Sequence, residues 1–242
     1  MAATKSEMLS MNQLQQHYES EGFVTLPPLL SLQTCKRLNA SLLNARADAF
    51  FDKTGFGFLG QNAFASLPAF YDALWENPIA EYACMLLKSE EVLLFQDLII
   101  WKPPFSELPI HPPRTVEWHQ DYSYWPLRRP SGITIWIALD DSTPDNGAVF
   151  YIPKSHRWGE CQATLYSQNE SYTDNSSLPV LSVEEQSKEP ISCQAGSAIA
   201  HHPLCCHMSP VNQSERHRRA WSLTFLKPDA QWDPTHAPHP HK

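Results

Sequence analysis

The chain has 242 residues, 42% hydrophobic and 18% charged, enough to bury a full core in one β-rich domain spanning 1–242. A formal net charge of −8 with Lys and Arg scattered along the chain argues against a nucleic-acid surface and leaves room only for a local basic pocket that takes an acidic small molecule. No apolar run reaches the roughly 18 to 20 residues of a membrane span, Met1–Glu7 lacks the layout of a secretory signal, and six cysteines without a CxxC pair favour reduced thiols in an intracellular, cytoplasmic setting.

Helical signals come first. Met11 to Glu21 has a polar helical composition that stops at Gly22, Phe23-Val24-Thr25-Leu26 reads as a short strand, and Pro27-Pro28 breaks it. Ser31 can cap a helix running from Leu32 to about Phe51, with Cys35, Leu38, Leu42 and Ala45 on its apolar face. Pro68 to Leu87 predicts one or two helices divided near Pro78, and Val92 to Trp101 is the first long strand. Strands then dominate: Ile133–Leu139, ended by Asp140-Asp141, and Ala148–Pro153 after a turn at Pro144–Gly147. Ala163 to Pro190 is rich in Ser, Asn, Glu and Gln and predicts a long loop, a candidate lid over an active site.

Trp118-His119-Gln120-Asp121-Tyr122 carries the chemistry. On an extended segment His119 and Asp121 project from one face, and a third histidine from downstream would complete a two-His-one-carboxylate set that leaves three positions open on Fe(II). His201, His202 and His207 compete for that place. The first two are neighbours, so on a strand at most one of them faces the metal, and position alone does not choose. A zinc site is the competing metal reading, but the cysteine spacing is wrong for a closed structural one. The bland competitors are a surface His–Asp pair, a Trp136 that only fills the core, and a solvated arginine run at Arg216, Arg218 and Arg219.

Trp101-Lys102-Pro103-Pro104, Trp118-His119-Gln120-Asp121-Tyr122-Ser123-Tyr124-Trp125, Trp136-Ile137-Ala138-Leu139-Asp140, Asn146-Gly147-Ala148, Ile152-Pro153-Lys154-Ser155-His156 and His202-Pro203-X-X-X-His207-Met208-Ser209 follow one another in an order that resembles the phytanoyl-CoA dioxygenase family of Fe(II)/2-oxoglutarate oxygenases. The resemblance spans about Tyr18 to Pro228. It implies a mainly β fold with flanking helices, a double-stranded β-helix or jelly roll. It makes His119, Asp121 and His207 the iron ligands, with Fe(II), 2-oxoglutarate and O2 as cofactors. Arg218, eleven residues after His207, would bind the distal carboxylate of 2-oxoglutarate, Ser209 would add a hydroxyl, Lys102 a neighbouring cation and Trp136 a wall. Arg216 is the runner-up anchor, with Arg219 on the opposite face, while His156 and His202 make structural hydrogen bonds.

Two departures bear on loop shape: Lys154 stands where the family usually has Gly, and Ser197 where it often has Asp. Asp121 retains the carboxylate that related halogenases replace, which favours hydroxylation of a C–H bond with release of succinate and CO2. Tyr122, Tyr124, Trp125 and Trp158 suggest an aromatic-walled pocket for a small-molecule substrate. The competing functions are a cupin-like metalloenzyme that does not use 2-oxoglutarate and a non-catalytic metal-binding homologue. The C-terminal residues form no peroxisomal Ser-Lys-Leu signal. The oligomeric state is not legible.

Overall fold

The computed structural model describes residues 9–46, 50–161 and 187–236. Ser10 opens α1 (Met11–Glu21) with a reciprocal cap: its hydroxyl accepts from the Gln13 amide, and the Gln13 side chain accepts from the Ser10 amide. Gly22 ends the helix at φ +86°, where a Cβ would meet His156 Nδ1 at 2.4 Å. After β1 (Phe23–Leu26), the Ser31 hydroxyl accepts from the Thr34 amide and starts α2 (Leu32–Ala45). Its expected stripe of Cys35, Leu38, Leu42 and Ala45 is buried.

The helix ends earlier than the expected Phe51. That residue opens β2 (Phe51–Thr54), which pairs with β3 (Gly57–Gln61), and its ring packs edge-on against Trp101 with centroids 5.6 Å apart. Tertiary aromatic packing wins over local helical tendency here. A one-turn α3 (Ala63–Ser66) precedes α4 (Pro68–Glu76) and α5 (Ile79–Leu87), divided at the expected Pro78, which has no amide to donate. The strands β4 (Leu93–Lys102), β5 (Val116–His119), β6 (Gly132–Ala138), β7 (Val149–Tyr151), β8 (Glu189–Ile191), β9 (Ala198–His201), β10 (His207–Ser209) and β11 (Arg218–Leu226) follow, with short 3-10 turns between some of them.

The antiparallel strands form two sheets, ordered β1-β9-β6-β11-β4-β3-β2 and β5-β10-β7-β8. In the larger sheet, alternation along β4, β6 and β11 sends Ile99, Trp101, Ile133, Ile135, Ile137, Trp221, Leu223 and Phe225 to the helical side. There they bury against Leu38, Leu42, Phe70 and Ile79, and the Phe70 ring meets Trp221 edge to face at 5.0 Å. The opposite face of the same strands looks toward the smaller sheet. The result is a double-stranded β-helix buttressed by helices on one side, with its open space between the two sheets.

The proposed lid lies largely outside the described residues. Its last part, Glu189-Pro190, is strand rather than loop and pairs with β7 as β8. Lys154 adopts φ 66°, the left-handed geometry that glycine takes without strain, and its amide donates to the Glu21 carbonyl at 2.8 Å. A Cβ in that region costs roughly 1 to 2 kcal/mol. Lys154→Gly is therefore expected to stabilise the fold by about 1 kcal/mol, and a denaturant midpoint equal to or below wild type would show that the backbone is unstrained there.

Candidate metal centre and anion pocket

His119 ends β5 and His207 begins β10, and the two are direct partners across the smaller sheet, with ring centroids 4.1 Å apart. Each Nδ1 faces a carbonyl, that of Glu117 at 2.7 Å and that of Cys205 at 3.0 Å. A carbonyl only accepts, so Nδ1 carries the proton and Nε2 is left as a free lone pair. Gln120 continues the extended backbone and turns its side chain away to Gly159, Cys161 and Leu204. The chain reaches Asp121 on the His119 side before curling into a short helical turn. Asp121 Oδ1 lies 3.7 Å from His119 Nε2 and 3.5 Å from His207 Nε2.

Among the described residues, His119, Asp121 and His207 are the group whose ligand atoms could hold a metal, all within 4.8 Å of one another. Burial pushes both imidazoles below the ordinary histidine range, which keeps their nitrogens available. Burial alone would raise Asp121, but His207 and the hydrogen bond from His201 hold it well below the usual carboxylate range. Two neutral nitrogens and one anionic oxygen on one side of a cavity are a donor set that fits Fe(II) with positions left open.

The second carboxylate oxygen is tied to the larger sheet. Thr134 Oγ1 donates to Asp121 Oδ2 at 2.7 Å, and His201 Nε2 lies 3.0 Å from the same atom. Since that oxygen accepts, His201 Nε2 carries the proton and its Nδ1 accepts from the Tyr151 hydroxyl at 3.0 Å. His201 thus stands one layer behind the three-residue group. His202 faces away, accepting from the Leu204 amide at Nδ1 and packing on His156 and Tyr18. The structure brings His207 to the site and leaves the other two downstream histidines out of it. Removing an outer partner of a metal ligand typically costs about 10- to 100-fold in affinity. His201→Phe is expected to weaken Fe(II) binding at the low end of that range; an Fe(II) titration matching wild type would deny His201 any part in holding Asp121.

A cavity of about 220 Å³ opens between the sheets beside this group, lined among others by Trp136, Ser209 and Arg218. Arg218 is 1% exposed, its Nη2 donates to Ser209 Oγ at 3.0 Å, and its Nε and Nη1 have no partner. Burial lowers its pKa only to about 10, so it remains a cation at neutral pH. A buried guanidinium that lines a cavity and leaves two nitrogens without a partner fits a carboxylate. The Trp136 ring lies 5.5 Å from the guanidinium carbon and walls this end of the pocket.

Ser209 and Lys102 are placed differently from expectation. The Ser209 hydroxyl donates to the Gly147 carbonyl at 2.8 Å and accepts from Lys102 Nζ at 2.6 Å as well as from Arg218. Its one proton is engaged, so in this arrangement it positions Arg218 and has none to offer a ligand. Lys102 is fully buried behind Ser209, its three donors directed at the Ser209 hydroxyl and the carbonyls of Ser209 and Pro210. Burial and then the Arg218 charge push its pKa well below the ordinary lysine value. It supports the arginine from outside the cavity lining.

The competing arginines are engaged elsewhere. Arg216 forms an exposed ion pair with Asp145 at 2.9 Å, and Arg219 clamps Asp140 through Nε at 2.7 Å and Nη2 at 2.8 Å. Tyr124 and Trp125 line the cavity as expected. Tyr122 instead packs in a separate cluster with Trp125, Leu127 and Leu226, and Trp158 is 36% exposed. Phe56, Gln61, Gln96, Ser222 and Thr224 also line the cavity. Sequence reading missed them together with Thr134, whose place on the Trp136 side of β6 was the one signal available.

The phytanoyl-CoA dioxygenase (PhyH) family profile matches residues 18–220. A phytanoyl-CoA dioxygenase of Arabidopsis thaliana is 31% identical over 162 residues, covering 67% of this chain and 54% of that protein. The chain spans about half the length of the curated relatives it matches first. Among solved structures, the non-heme alpha ketoglutarate dependent carbocyclase SnoK from nogalamycin biosynthesis superposes with a TM-score of 0.78 at 22% identity, over 97% of this chain and 90% of that one. The epimerase SnoN, solved with Fe3+, alpha ketoglutarate and nogalamycin RO, gives 0.75 at 19% identity, over 93% and 86%. No helix among the described residues is long and apolar enough to cross a membrane. The cofactors expected from the sequence, Fe(II), 2-oxoglutarate and O2, are those this family uses, and the His-Asp-His group fits the metal. By this match, over most of its length, the chain belongs to the phytanoyl-CoA dioxygenase family.

Proposed function

We propose that this chain is an Fe(II)/2-oxoglutarate-dependent oxygenase, one catalytic domain over 1–242 that hydroxylates an unactivated C–H bond of a small organic substrate with release of succinate and CO2. The observation that carries the reading is the shared cavity. His119, Asp121 and His207 converge on one side of it, and a buried Arg218 with unpartnered Nε and Nη1 closes another.

His119, Asp121 and His207 would hold the iron, and Arg218 the distal carboxylate of 2-oxoglutarate. Iron held this way supplies the oxygen-activating redox chemistry, for which 2-oxoglutarate is the reductant. Glu117 and Cys205 carbonyls fix the imidazole tautomers, and Thr134 with His201 fixes the carboxylate, so the protein's donors are set in place before any ligand arrives. Apolar walls at Leu98, Ile100, Val149 and Trp136 keep bulk water from the reacting centre. The Asp121 carboxylate supports hydroxylation over halogenation. The test is iron-dependent release of succinate from 2-oxoglutarate together with gain of one oxygen atom by a substrate. No succinate with iron fully loaded would reject the oxygenase reading; succinate coupled to a product without added oxygen would reject hydroxylation alone.

A further inference from the structure

The inner face of the larger sheet carries a polar row. Antiparallel register aligns Gln96 of β4 with Thr224 of β11, Thr224 with Thr134 of β6, and Thr134 with His201 of β9. Thr134 and His201 are committed to Asp121 Oδ2. Thr224 and Gln96 continue the row away from the metal group; both line the cavity, and neither side chain has a hydrogen-bond partner among the described residues. The adjacent row places Gln61 of β3 and Ser222 of β11 on either side of Leu98, again facing the cavity without side-chain hydrogen-bond partners among the described residues.

Strand spacing sets the scale. Neighbouring strands lie about 4.8 Å apart, so Thr224 is about 5 Å and Gln96 about 10 Å from the Thr134 that anchors Asp121. Arg218 is on the same face of β11, but the path through Ala220 and Ser222 to Thr224 covers roughly 20 Å of strand. The unpartnered patch is therefore separate from the anion end of the pocket. Apart from the metal group, His201 and Arg218, the described residues lining the cavity include no ionisable side chain other than two tyrosines, Tyr124 and Tyr151.

Amides and hydroxyls both donate and accept, so this patch can satisfy hydroxyl, carbonyl or amide groups. It offers no counter-ion to a carboxylate, phosphate or ammonium group brought out of water, which is costly for such a charge. Tyr124 and Trp125 supply flat apolar surface in the same cavity.

Resting on the oxygenase reading, we propose that Gln61, Gln96, Ser222 and Thr224 form the substrate-reading patch, and that the substrate portion held there is an uncharged, oxygen-bearing apolar ring or chain. An acyl-CoA headgroup, a free acid or an amine does not fit it. Polar groups of the substrate bonded to Gln96 and Thr224 would set which carbon lies over the metal group.

The test uses isosteric probes: cyclohexanecarboxamide and cyclohexanol against cyclohexanecarboxylate, cyclohexylammonium and cyclohexanecarbonyl-CoA. Each is titrated anaerobically into protein loaded with Fe(II) and 2-oxoglutarate, following the visible absorption of that complex, and into iron-free protein by ligand-observed NMR. The carboxamide is expected to bind more tightly than the carboxylate, the ammonium or the thioester. Gln96→Met and Thr224→Val are each expected to weaken it about 5- to 10-fold, the effect of one lost neutral hydrogen bond. A charged probe binding more tightly than the carboxamide, no binding by either neutral probe, or full affinity in both variants would overturn the proposal. A complex that never forms its absorption with 2-oxoglutarate, while iron-free protein still prefers the carboxamide, would count against the oxygenase reading and support the patch.

Discussion

Arg218→Ala is expected to raise the dissociation constant for 2-oxoglutarate by roughly thirtyfold or more while iron binding stays near normal. Losing a charged hydrogen-bonding partner in a buried pocket costs on the order of 2 to 5 kcal/mol, and 1.4 kcal/mol is tenfold. The guanidinium is held by Ser209 and flanked by Trp136, and the two donors it leaves open are the ones a carboxylate would take. Arg218→Lys should rescue little, because a point charge does not reproduce the planar fork. Arg216→Ala removes only an exposed pair with Asp145 and should leave 2-oxoglutarate affinity intact. Arg219→Ala opens the clamp on Asp140 and should appear in unfolding, with little effect on the co-substrate. Calorimetric titration of all four variants separates these outcomes. Unaltered affinity in Arg218→Ala would remove 2-oxoglutarate from this end of the cavity.

The second large effect is on the metal. His119→Ala, Asp121→Ala and His207→Ala should each lower Fe(II) affinity by more than the roughly 10- to 100-fold that an outer partner costs, because each takes away one of three protein donors. Asp121→Ala has a further consequence: Thr134 and His201 lose their shared acceptor and are left as buried, unpaired donors. Its thermal stability should therefore fall even in iron-free protein. Metal content after dialysis against a weak chelator measures the first effect and calorimetry the second. Iron retained by His207→Ala but lost by His201→Ala would move the third ligand upstream.

The local signals in the sequence are those that depend on few partners. Ser31, Gly22 and Pro78 act through their own backbone or side-chain chemistry, and the helix ends they set lie where expected. The β2–β3 hairpin is set by Phe51 finding Trp101, a contact that no local pattern encodes. At the site, His119 and Asp121 were legible because they share one short segment. Choosing His207 over His201 required the register of β10 on β5, which alternation cannot supply. Trp136 and Arg218 could be placed by resemblance. What Lys102 and Ser209 do depends on where a hydroxyl proton points, and that follows from the Gly147 carbonyl, far away in the chain.

The metal group also straddles the two sheets. His119 and His207 belong to the smaller sheet, while the same Asp121 whose Oδ1 faces them is bound through Oδ2 to Thr134 and His201 of the larger one. An ion held by all three would add a further link between layers already joined by the Tyr151–His201 hydrogen bond and by the packing of Val149 and Tyr151 on Trp136 and Ile199. Binding to the folded state alone adds RT ln(1 + [L]/Kd), about 2.7 kcal/mol at a hundredfold excess over Kd. The stability of the fold, and with it the fraction of protein that keeps the two sheets together, would thus answer to the free iron concentration around the protein.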